Sequence, residues 1–432
     1  MSRLSTTTSA TSPSRPPAIP AWLYPFDRDK LSAALNVLAE REYKREFARS
    51  ATRHEREGRA ARLRAAMNAN GSGYGGPHVP QEHRAHFSVE VGSRHENRYE
   101  NRYYQLEAFD RTRVEVEGRY LNANWVRELY GGRWWIATQA PLPNTAYNFL
   151  SLFLQPDTRP PPALAPPASF PGGPRPCRLR TAVQLTLHHE QGRPKAHPYF
   201  PDEIGKSYVV PPPGDAHPSS AAALKITLET QERVREASCI RSTLRLVRCE
   251  VPRVETDSPL YTQSAELGGA VRFTHLLFED WPDFGVPEGP EEKARLLTFA
   301  RLVASVNLSP PPSSPRRTPN DDEPTHPEPP ITVNCSAGVG RTGSFIALCS
   351  LLRSHGLLIP EYRPCRPKDF PPLPPSPLGP LPPEAADDEA VAEIDSLREQ
   401  RPSMVQRNEQ QLLVYELLLA AFHERDERSQ QV

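Results

Sequence analysis

The sequence predicts an α/β (α+β) fold, in which a central twisted mixed β-sheet is flanked by helices. Seven short runs rich in β-branched and aromatic residues lie between about 85 and 335 and are typical of strands. Three later segments, 290–306, 343–355 and 408–422, carry apolar residues at helical spacing. Neither kind of element buries its apolar side alone, so a layered structure with one sheet is expected.

The elements follow a simple order along the chain. Residues 1–20 are rich in Ser, Thr and Pro and are predicted to be a disordered tail. Residues 21–84 are predicted to be an N-terminal helical segment, because apolar residues stand at 31, 35, 38, 43 and 47. The main domain is predicted to span 85–425, with 426–432 as a tail. Its predicted strands are RVEVEGRYLNANWV, RWWIATQA, RTAVQLTLH, ALKITLET, STLRLVRCEV, VRFTHLLF and ITVNC.

Proline is unusually frequent, with 51 residues, and it concentrates in four tracts. These tracts lie near 156–176, 211–219, 309–330 and 360–383, and they cannot bury enough apolar surface to offset the entropy lost on ordering. We therefore predict disordered surface insertions within one domain, rather than linkers between separate domains. The stretch PPLPPSPLGPLPP from Pro371 has the composition that SH3 or WW domains bind as polyproline II.

Composition excludes several functional classes. The 52 basic and 52 acidic residues balance, so net charge indicates neither a nucleic-acid nor a membrane partner. The six cysteines form no C-x-x-C pair and suggest reduced thiols, which predicts a cytoplasmic protein, with the nucleus as an additional location. The most apolar stretch, 411–422, contains Glu416 and is too short to span a bilayer. A monomer is expected. The N-terminal residues weakly resemble a transit peptide, but their prolines disfavour its amphipathic helix.

The stretch VNCSAGVGRTGSF joins a predicted strand to a predicted helix, so the backbone N–H groups of the loop converge on one point. Its GVGRTG matches the G-x-G-x-x-G of dinucleotide-binding loops. Such a site also requires an acid about 20 residues later at the end of a second strand. Glu361 has that spacing, but IPEYRPC is not strand-like. A Walker loop is excluded because no Gly-Lys-Ser/Thr follows.

A nucleophilic cysteine inside a phosphate-binding loop accounts for more of these residues. Cys335 precedes the helix N-terminus and has Arg341 nearby, which favours a thiolate at neutral pH. Arg341 offers a planar fork to two phosphoryl oxygens. Thr342 is placed to donate a hydrogen bond to the sulfur when the sulfur leaves. A buried cysteine in a glycine-rich turn is the alternative, and it gives Arg341 no purpose.

The stretch CSAGVGRTG resembles the signature loop of the tyrosine-specific protein phosphatases, and other blocks agree. FEDWPDFGVPE resembles the family's hinged acid loop, which implies that Asp283 is the general acid. RPSMVQRNEQQ resembles the block whose first glutamine places the hydrolytic water, here Gln406, and whose second is Gln410. ENRYENRYYQLEAFDRTRV resembles the phosphotyrosine-recognition loop, which implies that Tyr103 stacks on the substrate ring.

Three further blocks, YLNANWV, WWIATQAPLPNT and HHEQGRPKAHPYFP, also resemble the family. In the last block Lys195 aligns with a lysine that contacts the acid loop, and Glu190 with a glutamate near the signature arginine. The blocks together cover about 85–423 in family order.

The resemblance implies hydrolysis of phosphotyrosine in proteins, in signal transduction, through a cysteinyl-phosphate and without metal or cofactor. It implies an enzyme of the non-receptor type. The residues expected to bind substrate beside those already named are Ser336, Ala337, Gly338, Val339, Gly340 and Gln105.

Four positions depart from the family pattern. Asn334 stands where the signature has His, Ala140 follows Gln139 where the family has Gly, and Arg407 follows Gln406 where the family has Thr. Gln105 replaces an aspartate that grips the substrate backbone. These departures leave open a second interpretation, a pseudophosphatase that binds phosphotyrosine without cleaving it.

Because Asn334 carries no charge, we expect the thiolate pKa to be higher, and turnover slower, than in members with histidine. The acidic limb of the pH–rate profile should therefore lie at higher pH. A limb at the usual family position would contradict this prediction.

Overall fold

A computed structural model of the protein describes residues 19–24, 27–68, 79–164, 177–214, 222–250, 265–282, 285–309, 327–359 and 367–430, and of 54–68 it gives the helical backbone alone. Most of the predicted tail and of the Pro-rich tracts lies outside these ranges, as does Asp283. The predicted domain boundaries at 20, 84 and 425 stay predictions.

The predicted mixed sheet is confirmed, and it has eight strands in the order β1-β2-β10-β3-β9-β8-β7-β6. The four central strands β2, β10, β3 and β9 are parallel, and the remaining pairs are antiparallel. A separate two-stranded ribbon pairs β4 with β5. The strands are β1 Ala123–Arg127, β2 Trp134–Thr138, β3 Thr181–Gln184, β4 His189–Glu190, β5 Arg193–Pro194, β6 Ser207–Val210, β7 Ala223–Val234, β8 Cys239–Cys249, β9 Glu266–Phe278 and β10 Ile331–Asn334.

Helices cover both faces of the sheet. They are α1 Arg28–Asn68, α2 Gln81–His86, α3 Ala146–Leu154, α4 Pro290–Leu308, α5 Gly340–Ser354, α6 Pro383–Ala386, α7 Glu389–Gln400 and α8 Asn408–Gln430. Strand alternation assigns side chains to the two faces. In β2, Trp134 and Ile136 pack with α3, whereas Trp135 and Ala137 pack in the core that contains α4, α5, α7 and α8. Trp135 meets Phe345 of α5 edge to face, with ring centroids 6.0 Å apart.

Each of the seven predicted β-rich runs contains a strand, and α1, α4, α5 and α8 lie where helical spacing was found. The first run shortens to β1 because its earlier residues form only the isolated bridges Arg113–Asn124 and Val116–Arg119. The short strands β4, β5 and β6 were not predicted, nor were the helices α3, α6 and α7. Helix α7 mixes buried charged residues with apolar ones, and this hides its apolar periodicity.

Helix α1 packs against the rest of the fold through buried arginines that recur every four residues, at 41, 45, 49 and 53. Arg41 and Arg45 donate to Asp395 of α7 over 2.9 and 2.6 Å, and Arg45 also pairs with Glu399. Such pairs are typical of specific attachment, since removal of one partner leaves a buried charge unpaired.

The last Pro-rich tract was expected to be disordered, but its described part, residues 367–383, is ordered. Arg41 donates hydrogen bonds to the carbonyls of Leu378, Gly379 and Pro380, and Ser376 donates to Glu399. Residues 376–380 therefore lie against α1 and α7. The ordering entropy is offset here by charged donors on neighbouring helices, which composition does not reveal.

Glu399 gives the attachment of α1 a pH dependence. Burial would raise its pKa, but hydrogen bonds from His86 and Arg45 lower it from 4.5 to about 2. A carboxylate with a depressed folded-state pKa stabilises fully above its unfolded pKa and loses that contribution as pH falls towards the folded pKa. We expect Glu399→Gln to be less stable than wild type by about 3 kcal/mol at pH 7.

The difference should shrink as pH falls from about 4.5 towards 2. Urea unfolding of both proteins at pH 7, 5 and 3 measures it. A difference that does not change with pH would contradict the assigned ion pairs.

Candidate active site

The glycine-rich loop lies at the carboxyl ends of the parallel strands, where ligand sites of open α/β sheets occur. Strand β10 ends at Asn334, Cys335 follows, and α5 begins at Gly340. Cys335 is 5% exposed at the base of a cavity of about 130 Å³. The residues that line the cavity are Glu190, Lys195, Gly285, Cys335, Ser336, Ala337, Val339, Gly340, Arg341, Gln406, Arg407 and Gln410.

The cysteine sulfur is surrounded by donors. The backbone N–H of Gly338 donates to Sγ over 3.2 Å. Burial by itself would raise the pKa of the thiol, but the Thr342 side chain, the Arg341 charge and the amides of Thr342 and Val339 lower it below its ordinary value. The Thr342 hydroxyl is fully buried and makes no hydrogen bond within the described part of the chain, so it remains available to the sulfur. This environment favours a thiolate.

Gly338 is required by the shape of the loop. Its φ is +73°, a left-handed conformation that glycine adopts without steric cost. A Cβ atom at this position would lie 2.0 Å from the carbonyl oxygen of Thr138 on the neighbouring strand. The loop can therefore approach β2 closely only with glycine here.

Arg341 is held by a carboxylate in a forked geometry. Its Nη1 and Nη2 donate to the two oxygens of Glu190 over 2.7 and 2.8 Å. Glu190 is fixed in turn by the Thr186 hydroxyl and the Leu187 amide. The pKa of Glu190 is lowered because the Arg341 hydrogen bonds and charge outweigh its burial. The structure thus places Glu190 where the resemblance puts it.

The predicted acid loop reaches the same arginine. Nη2 of Arg341 donates to the carbonyl of Pro282 over 3.0 Å. Trp281 is buried, and its indole N–H donates to the carbonyl of Gly285 over 3.2 Å. Asp283 itself lies between these anchors but outside the described residues. Its proposed role therefore depends on sequence, with both flanks of the loop beside the cavity.

Arg401 supports the glycine-rich loop from inside the protein, and the sequence analysis missed it. It is fully buried, and it donates to the carbonyls of Gly338 over 2.7 Å and Ala337 over 3.1 Å. It also donates to the side chains of Asn122 and Asn124. Burial lowers its pKa to about 10. The sequence contained a clue to Arg401, because it is the first residue of the RPSMVQRNEQQ block that resembles the family.

The recognition loop, residues 96–114, contacts the glycine-rich loop through Tyr103. The glycine-rich loop, residues 335–339, is called the phosphate loop from here on. The Tyr103 and Ser336 hydroxyls lie 2.8 Å apart, and Ser336 also donates to the Lys195 carbonyl over 2.6 Å. Arg102 donates to the carbonyls of Ala140 and Pro141, which fixes the start of this loop. The Tyr103 ring is more than a third exposed, and it reaches the cavity through Ser336, which is a lining residue, rather than by lining the cavity itself.

Gln406 and Gln410 line the cavity as well. Gln406 is exposed, whereas Gln410 is buried against Gly340, and its Oε1 accepts the Arg407 N–H over 3.2 Å. Ser403 and Val405 precede them with φ of +56° and +54°. Left-handed backbone is costly for such residues, so this loop is held in shape by its surroundings.

The family model of Protein-tyrosine phosphatase matches residues 97–159 and 178–356, more than half of the chain. The chain belongs to the protein-tyrosine phosphatase family. The recognition loop, the acid loop and the phosphate loop all fall within the matched ranges. Arg401, Gln406 and Gln410 lie beyond them.

Relatives carry the same family name. The chain is 29% identical over 296 residues to the tyrosine-protein phosphatase Lar-like of Caenorhabditis elegans, covering 67% of this chain and 10% of the relative. It is 31% identical over 280 residues to human receptor-type tyrosine-protein phosphatase H, covering 62% of this chain and 19% of the relative. It is 29% identical over 263 residues to tyrosine phosphatase H2 of Microplitis demolitor bracovirus, covering 60% of this chain and 63% of the relative.

The chain thus spans a tenth to a fifth of the length of the first two relatives. Within the ranges that the structure describes, we find no helix whose length and apolarity would suit a bilayer crossing.

Two of the departures from the family pattern lie beside Cys335 and the loop that follows it. The side-chain amide of Asn334 is buried and donates to the carbonyl of Cys335 over 3.1 Å. Asparagine thus orients the peptide of the nucleophile without adding a charge. Ala140 is fully buried, and its N–H donates to the Ser336 carbonyl over 3.0 Å, so its methyl group is accommodated.

Gly338→Ala should abolish most activity, because the added carbon meets the Thr138 carbonyl and displaces the loop amides. Gly118→Ala is the matched control, since Gly118 has φ +74° with no atom within 4 Å of the added carbon. The control should cost about 1–2 kcal/mol of stability for the left-handed conformation and leave kcat unchanged. Equal activity of both variants in aryl phosphate hydrolysis would contradict the assigned contact.

Proposed function

We propose that this protein hydrolyses phosphotyrosine in proteins, with Cys335 as nucleophile. The observation that carries the proposal is the environment of the Cys335 sulfur: a buried sulfur with a lowered pKa, loop amides directed at it, and the fork of Arg341 beside it. These groups supply a nucleophile and a site for a dianionic phosphoryl group.

In the first step the Cys335 thiolate attacks phosphorus and forms the S–P bond while the bond from phosphorus to the tyrosyl oxygen breaks. Arg341 and the amides of 336–340 hold the equatorial oxygens, on which charge accumulates in a loose transition state. Asp283 gives its proton to the leaving tyrosyl oxygen. Glu190 keeps the guanidinium oriented through two hydrogen bonds, and Nη2 exchanges the Pro282 carbonyl for a phosphoryl oxygen when substrate binds.

In the second step water attacks phosphorus, the S–P bond breaks, and Cys335 leaves as a thiolate. Asp283, now ionised, accepts the proton of the water, and Gln406 places that water with help from Gln410. The Thr342 hydroxyl donates to the departing sulfur. Inorganic phosphate is the product.

Selectivity for phosphotyrosine over phosphoserine follows from the depth at which Cys335 is buried. Cys335 is a buried lining residue of the cavity, and the Tyr103 hydroxyl lies 2.8 Å from that of Ser336, the next lining residue. The long phenyl group of phosphotyrosine can reach the sulfur while it stacks on Tyr103, whereas the short side chain of phosphoserine cannot. We assign Gln105 to the substrate backbone and Lys195 to the acid loop.

The location and other partners rest on the sequence. We propose a cytoplasmic protein, with the nucleus as an additional location, that acts as a monomer in signal transduction. For SH3 or WW domains to bind the tract from Pro371, residues 378–380 would first have to release Arg41.

The test is hydrolysis of a phosphotyrosyl peptide by the purified chain with a chelator present, beside Cys335→Ser and Asp283→Asn. We expect no turnover in Cys335→Ser, and a kcat lowered by roughly 10²–10⁴ in Asp283→Asn, because the leaving oxygen then lacks its proton. The peptide should still bind both variants.

The outcomes separate the two functions left open by the sequence. Turnover by the wild type that disappears in Cys335→Ser supports the proposal. A folded wild type that binds the peptide without cleaving it would instead indicate a phosphotyrosine-binding pseudophosphatase.

A further inference from the structure

Arg53 of helix α1 contacts the recognition loop from outside the active site. Its Nη2 donates to the carbonyl of Gln105 over 2.9 Å, and its Nε donates to the Glu107 carboxylate over 2.8 Å. Arg53 and Glu107 are 8% and 4% exposed. A buried, charged donor therefore holds the backbone two residues after Tyr103.

The backbone held by Arg53 is strained. Gln105 has φ +68°, a left-handed conformation that costs a residue other than glycine about 1–2 kcal/mol. Such conformations persist only where the surroundings impose them. The Gln105 carbonyl is the acceptor for Arg53, so this hydrogen bond favours the strained turn over relaxed alternatives.

The turn sets the position of Tyr103. Before it, Arg102 fixes the loop on the carbonyls of Ala140 and Pro141. After it, Asn122 donates to the carbonyl of Leu106 over 2.9 Å. Tyr103 lies between these anchors, with its hydroxyl 2.8 Å from Ser336 of the phosphate loop. A relaxed turn at Gln105 would move the wall on which the substrate ring stacks.

We propose that Arg53 is a positioning residue for phosphotyrosine recognition, which makes helix α1 part of the substrate site. The inference rests on the proposed function, and it adds a residue outside the ranges that the family model matches. Arg53 touches no reacting atom, so it should act on substrate binding and leave the chemical step intact.

The test is the steady-state kinetics of Arg53→Met on a phosphotyrosyl peptide. We expect KM to rise about tenfold, the equivalent of one hydrogen bond from a charged donor, with kcat within about twofold of wild type. Arg41→Met is the matched control, because Arg41 is 6% exposed on the same helix and also binds one carboxylate and backbone carbonyls, but not the recognition loop. Its KM should stay within about twofold of wild type.

Two outcomes would overturn the inference: a wild-type KM in Arg53→Met, or an equal rise in Arg41→Met, which would mean a general loss of structure. If Arg53→Met does not fold because Glu107 is left unpaired, Arg53→Met/Glu107→Gln removes that charge and is compared with Glu107→Gln alone. The double variant should show the same rise in KM.

Failure of the proposed function can be distinguished from failure of this inference. If the wild type does not turn over, the dissociation constant of the peptide is measured in Cys335→Ser, with and without Arg53→Met. About tenfold weaker binding with Arg53→Met supports the inference without turnover. Equal binding, or no binding by either protein, overturns it.

Discussion

The interaction on which the site most depends is the set of hydrogen bonds from Arg401 to the back of the phosphate loop. A loop whose N–H groups converge on a phosphoryl group must direct its carbonyls into the protein. Those carbonyls, at Ala337 and Gly338, find their donor in the fully buried guanidinium of Arg401. The same group binds Asn122 and Asn124. The anion site in front of the loop therefore requires a cation behind it.

The second constraint is that strained backbone surrounds the site. Gln105, Ser403 and Val405 are all left-handed, and each lies within three residues of Tyr103 or Gln406. Charged side chains hold these turns: Arg53 at Gln105, Arg49 and Glu42 at Ser403, and Arg398 at the carbonyl of Val405. Arg49 and Arg53 thus do more than attach α1 to the rest of the fold. They fix the two loops that border the cavity.

Sequence predicted the fold class and the phosphate loop well, because both are local patterns. A strand, a glycine-rich loop with Cys335 and Arg341, and a helix can be read from consecutive residues. The structure brings Tyr103, Glu190, Gln406 and Gln410 to the same region. Arg401 and Arg53 were not predicted, since their importance arises from partners 63 and 52 residues away. An arginine in a polar segment looks like a surface charge until its burial is known.

The long separation between partners has a consequence for synthesis. Arg45 meets Glu399, and Arg398 meets the carbonyl of Leu38, across 354 and 360 residues. Contacts this distant in sequence close late and slow folding. A nascent chain that has reached only residue 397 already contains Cys335 and Arg341, but not the arginine that supports their loop. The environment of the Cys335 sulfur should therefore form only after residue 401 has been synthesised, when α7 can pack against α1 and Arg401 can reach the loop.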